Sequence, residues 1–239
     1  MINCTVFNKM LKTVQLSMKF TDACFIIAQR LLSEPEKSWT TLDFPSRHRP
    51  RVVRFFNYLI EEKVLFRKNP RGRNSFSVLD KPEQLLKMCI TQFSRNEERV
   101  ISFTSKRPVK EIVDSLANAE VEFYLGRFTG IRKQLIHSTV SDFTLLIPER
   151  SIFYGDALAE FQMDFRILKV GFGGNITVVL PRFKRFLKRH SIKQDNLQIP
   201  SDFYTYLFLC SSENIMAFPQ KEYIEEQLGG VDGNFLAWR

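Results

Sequence analysis

The stretch RPRVVRFFNYLIEE, residues 49–62, constrains what this chain can fold into more than any other. Advanced by 100° per residue, Val52, Val53, Phe55, Phe56, Leu59 and Ile60 gather on one arc, while Arg51, Arg54, Asn57, Tyr58 and Glu61 take the other. A segment divided in this way is satisfied as a helix lying on a small core with its cationic side left in water. Pro50 suits the first helical position, where its missing N–H forfeits no bond.

The flanking segments say what that core consists of. FTDACFIIAQRLLSEP (20–35) predicts a helix capped by Thr21 or Asp22, with Phe25, Ile26, Leu31 and Leu32 turned inward. SWTTLDFPSRH predicts a one-turn helix, or a strand with a turn. KVLFRK and NSFSVL predict two strands joined by NPRG, whose Pro and Gly form turns. Helix, short helix, basic helix and basic hairpin is the order of a winged helix-turn-helix, expected over residues 20–80. DKPEQLLKMCITQF (80–93) reads as a connecting helix and SRNEER (94–99) as a linker, so that 81–99 join two domains. Residues 1–19 form an N-terminal extension in which Phe7, Met10, Leu11 and Val14 recur at helical spacing.

From 100 to 239 the signals mix. RVISFTS and SDFTLLIP read as strands, VKEIVDSLANA as a helix, and DFRILKVGF with NITVVLP as a hairpin closed at GFGGN. SDFYTYLFLCSS and PQKEYIEEQLGG read as helices. The expected fold class is α+β, an N-terminal winged helix-turn-helix domain plus a C-terminal mixed α/β domain.

Charge narrows the function. The formal net charge is +9, and residues 45–75 hold nine Arg and Lys against Glu61 and Glu62, most of that excess in one short segment. A helix with donors on its outer face fits the major groove of B-DNA, where Arg grips guanine and Asn grips adenine. Arg51, Arg54, Asn57 and Tyr58 are the expected base-edge contacts, with Arg47, His48 and Arg49 on phosphates at the start of the helix. Arg67, Lys68, Arg71 and Arg73 arm the hairpin, the last two flanking Gly72 at its tip. A second basic patch, PRFKRFLKRHSIK, contributes Arg182, Lys184, Arg185, Lys188, Arg189 and Lys193. It reads equally as a phosphate or acidic-partner site and as the solvated face of a helix seated by Phe183, Phe186 and Leu187.

Other chemistries are poorly served. Cys4, Cys24, Cys89 and Cys210 are too scattered for a zinc site or a disulfide framework. No apolar run approaches the roughly 20 residues of a membrane span, and the N-terminus lacks a secretion signal. A cytoplasmic protein with no membrane partner is expected. GFGGN leads into a strand and not into the helix that a phosphate loop needs. His48, His137 and His190 stand apart from one another. The nearest approach to a nuclease site is Asp142 with Asp164, but Arg166 stands where a base-like Lys belongs. No catalytic residue, metal or cofactor is expected.

GFGGNITVVLPRFKR, followed by IPSDFYTYLFLC and PQKEYIEEQL, resembles the C-terminal region of the AbiEi-like antitoxins, the transcription-regulating half of type IV (abortive-infection) toxin–antitoxin systems. EFYLGRFTGIRKQLI departs from that family, which carries there a small-residue helix with a His-Gly ending. The resemblance implies a DNA-binding repressor of its own promoter, whose second domain counters a nucleotidyltransferase-like toxin without catalysis. Two other readings stay open: a nucleic-acid-processing enzyme with a nuclease-like second domain, and a protein-interaction module that binds no DNA. Homodimerisation through the second domain is a further use of that region.

Overall fold

A computed structural model describes residues 18–69, 75–94, 99–105, 111, 112, 114, 122–126, 143–148, 167–170, 176–189, 191–194 and 197–211. Within them the chain forms an α+β fold of mixed helices and small sheets. Helix α1 (Asp22–Ser33) leads through Trp39 and two single 3-10 turns, Thr41–Asp43 and Ser46–His48, to helix α2 (Arg49–Glu61). Strands β1 (Leu65–Lys68) and β2 (Phe76–Leu79) pair antiparallel, and helix α3 (Pro82–Ser94) follows.

Each local choice has a physical reason. Thr40 and Asp43 form a reciprocal capping box around the first 3-10 turn: the Thr40 hydroxyl accepts from Leu42 N, and the Asp43 carboxylate from Thr40 N at 2.6 Å. Backbone bonds in both directions between Trp39 and Ser77 add a third, strand-like partner to the hairpin. Helix α2 ends in a Schellman arrangement, with Val64 N donating to Leu59 O and Lys63 N to Ile60 O. Lys63 sits there at φ 57°, where glycine is the usual choice.

The helical partition of 49–62 is observed with two changes at its rim. Val52, Phe55, Phe56 and Leu59 are buried, but Val53, assigned above to the apolar arc, is 41% exposed. Tyr58, assigned to the outer face, is half-buried, its ring edge-on to Phe20 at 6.2 Å. Both lie about 100° or more from the centre of the buried arc, where neighbouring elements, and not the period, decide exposure.

Beyond residue 94, five strands make one sheet: β3 (Arg99–Ser105), β4 (Tyr124–Gly126), β5 (Phe143–Leu146), β6 (Ile167–Val170) and β7 (Ile176–Leu180). Their order is β4-β5-β7-β3-β6, and β5–β7 is the parallel pair. This corrects the hairpin expected across GFGGN. Strand β3 lies between β6 and β7 and pairs antiparallel with each. One strand pairing on both edges replaces the local contact that a short connection suggested. Helix α4 (Lys184–Arg189), the ribbon β8 (Ile192–Gln194) and β9 (Leu197–Ile199), and helix α5 (Asp202–Ser211) complete the described chain.

Among the described residues, one apolar cluster runs from Phe20 to Phe208. Phe25 of α1 stacks on Phe186 of α4, centroids 5.4 Å apart, and lies 4.5 Å from Phe183. Phe93 of α3 meets Tyr204 of α5 edge-on at 5.4 Å. Such ring pairs contribute about 0.5–1.5 kcal/mol beyond the burial of their area. Among the described residues, no helix is long and apolar enough to cross a membrane. The hairpin tip expected to carry Arg71 and Arg73, residues 1–17 of the N-terminal extension, the helix expected over 219–230, Asp142, Asp164, His137, His190 and Cys4 lie outside the described residues.

Candidate nucleic-acid interface

Helix α2 and strand β1 present the cations of the basic segment. Arg47, Arg49, Arg51, Arg54 and Asn57 are exposed, as are Arg67 and Lys68. Asn57 follows Arg54 by three residues and shares its side of the helix. Arg67 Nη2 donates to Asn57 Oδ1 at 2.9 Å, tying the hairpin to that side. The amide oxygen that adenine recognition would require is therefore engaged by an arginine of the neighbouring strand. Strand alternation turns Lys68 to the opposite face from Arg67, and the Lys68 ammonium lies 5.9 Å from the Phe76 ring. Phe66 shares the face of Lys68 and is 59% exposed. An aromatic standing out beside two cations was not singled out in the sequence, because its strand period alone does not say which face is covered.

His48 is half-buried at the start of α2. Its Nε2 accepts from Arg47 Nε at 3.2 Å, which leaves the proton of the neutral ring on Nδ1. Nδ1 is buried and has no hydrogen-bond partner. Burial, followed by the fields of Arg47, Arg189, Arg51 and Arg185, holds the imidazole pKa below its ordinary value. Two of those arginines come from the second basic patch, 137 or more residues further along the chain.

That patch divides by helix face. Lys184 donates its ammonium to Pro148 O, and Lys188 pairs with the Glu122 carboxylate, so this i,i+4 pair is bound to the sheet side. Burial would raise the Glu122 carboxyl, but hydrogen bonds from Lys188 and Tyr124 and the charges of Lys188 and Lys184 outweigh it and hold it low. Arg182 rests over Phe183 at 5.9 Å, and Lys193 is exposed. Arg185 and Arg189 are exposed on another face, beside His48 and Arg51. Phe186 and Leu187 are fully buried beneath them.

The carboxylate of Asp22 positions this helix. It was expected to cap α1, but its Oδ1 accepts from Phe186 N at 2.9 Å, in the first turn of α4. No side chain caps α1 itself. A residue at position 22 thus supplies the acceptor that a helix at 184 needs. The two basic clusters form one surface across the start of α2. Among the described residues, no group of three His, Cys, Asp or Glu side chains is placed to hold a metal ion.

Comparison with protein-family models, with curated proteins and with solved structures gives no match to this chain.

Proposed function

We propose that residues 20–80 form a winged helix-turn-helix that binds double-stranded DNA, and that the chain is a transcriptional regulator. The hydrogen bond between Arg67 and Asn57 carries this reading, because it sets the outer side of α2 and the hairpin next to each other with one sign of charge. In this assignment α2 is the reading helix, the two 3-10 turns replace the usual preceding helix, and β1–β2 with Trp39 make the wing.

The helix enters the major groove by its first turns, where Arg51 and Arg54 reach guanine edges. Reading adenine with Asn57 requires Arg67 to leave its amide oxygen and move to a phosphate, so the bond between the two side chains is replaced by contacts of both to the DNA. Arg47 and Arg49 neutralise phosphates and release their counterions. The resemblance to AbiEi-like antitoxins extends the proposal: the C-terminal region would hold a nucleotidyltransferase-like toxin and catalyse nothing.

Selection from a random duplex library, followed by fluorescence anisotropy on the enriched site, tests the first part. Arg51→Ala with Arg54→Ala should erase site preference, each lost guanine contact costing about 1–3 kcal/mol. Arg71→Ala with Arg73→Ala should weaken all duplexes alike. Affinity insensitive to salt, or unchanged by all four substitutions, would overturn the assignment. For the antitoxin role, the test is whether co-expression relieves growth arrest by a nucleotidyltransferase-like toxin encoded beside this chain.

A further inference from the structure

Between α1, the start of α2 and α4 lies an open cleft of about 250 Å³. Ile26, Ile27 and Phe44 make its apolar floor, and Arg30, Arg51, Arg185 and Arg189 line its rim. The guanidinium of Arg30 is held over two rings, 5.6 Å from Trp39 and 5.3 Å from Phe44. Asp22 is the one acid in the lining, and one of its oxygens already accepts from Phe186 N; Asp43, outside the lining, offsets part of the Arg30 charge. His48 forms part of the same wall, and its Nδ1–H is a buried donor without an acceptor.

Four fixed positive charges brought against an apolar floor repel one another, and the floor weakens the screening that water would provide. The arrangement is relieved by an anion rich in acceptors. Guanidinium forks match the oxygens of a phosphate in pairs, which favours that anion over a halide. The volume falls below the roughly 300–1,000 Å³ of pockets for drug-sized molecules, so the occupant is a small group. We propose that this cleft is a phosphate-binding site built jointly by the two halves of the chain, with Arg185 and Arg189 as its ligands. The phosphate comes either from a free phosphorylated molecule or from a nucleic-acid backbone. Only the second source rests on the DNA reading above.

The experiment measures two things on the full-length chain: the rise in melting temperature with sodium pyrophosphate against sodium chloride at equal ionic strength, and duplex affinity. Both are measured for the parent, for Arg185→Ala with Arg189→Ala, and for Arg182→Ala with Lys193→Ala. The second pair removes the same charge from exposed positions outside the cleft lining. If the phosphate is free, pyrophosphate stabilises the parent and the control, and the Arg185/Arg189 variant loses roughly tenfold in pyrophosphate affinity. If it comes from a backbone, pyrophosphate has no specific effect, while that variant alone loses roughly tenfold in duplex affinity. A parent that responds to pyrophosphate but binds no duplex sinks the DNA reading and leaves the cleft standing. Equal losses in both variant pairs, or none in either, overturn the proposal. Melting curves without ligand confirm that the exposed substitutions leave the fold intact.

Discussion

The two basic regions carry similar charge but are positioned by different forces. The segment 47–68 is placed by neighbours in sequence: a helical period, a Schellman end and a hairpin register. The segment 182–189 is placed by partners far away, with Phe25 stacked on Phe186 and Asp22 capping its helix. A six-residue helix is too short to persist alone, so α4 exists because the rest of the molecule supplies its stability. A surface can therefore be continuous in charge while half of it depends on tertiary contacts.

Substitutions can break that contrast, and the largest effect belongs to the distant contacts. Phe186→Ala should cost about 3–5 kcal/mol in chemical unfolding, because a fully buried ring leaves a cavity between the halves. Two unfolding steps in the variant, the first unaltered in midpoint, would mean that the basic helix and hairpin stand without this seam. Next comes Asp22→Ala, expected to cost about 0.5–2 kcal/mol, the usual range for a lost helix cap. Asp22→Asn keeps an acceptor and should recover most of it; no recovery would assign the effect to charge.

Smaller effects probe the local region. Lys63→Gly should stabilise by about 0.5–1 kcal/mol, since relief of the left-handed conformation exceeds the entropy that glycine adds to the unfolded chain. A loss of stability would show that the Lys63 side chain has a role of its own. The pH response of His48 is the finest probe. Its pKa in the folded chain lies below the unfolded one, so the unfolded state takes up the proton first. The associated stability is full above the ordinary histidine value of about 6.5. It is lost as pH falls through the lower, folded value. His48→Gln should flatten stability in that acid interval, and an unchanged slope would exclude His48 as its source.

How much of this was legible beforehand follows the same division. Helices α1, α2 and α3 and the strands β1 and β2 were readable because their period and turn residues are local. The exposure of Val53 and the partial burial of Tyr58 were not, since positions at the rim of an apolar arc take their environment from whichever element packs alongside. The order of the five strands was also out of reach. An apolar run such as ITVVL announces a strand but not its neighbour, and β3 occupies the place beside it that the GFGGN connection suggested for β6. Within the basic surface, Arg51 and Arg54 were legible as exposed cations. Arg30 and Asp22 were not, because nothing near them in the chain announces helix α4.

The pairing of Phe93 with Tyr204 has a consequence for how the molecule is made. On a ribosome adding about 5–20 residues per second, helix α3 emerges on the order of ten seconds before α5 is available to cover it. Through that interval Phe25 and Phe93 lack the rings that will shield them, and the nascent chain offers a sticky face to chaperones and to its own kind. Slower translation would lengthen that exposure and lower the yield of native protein without altering a single residue.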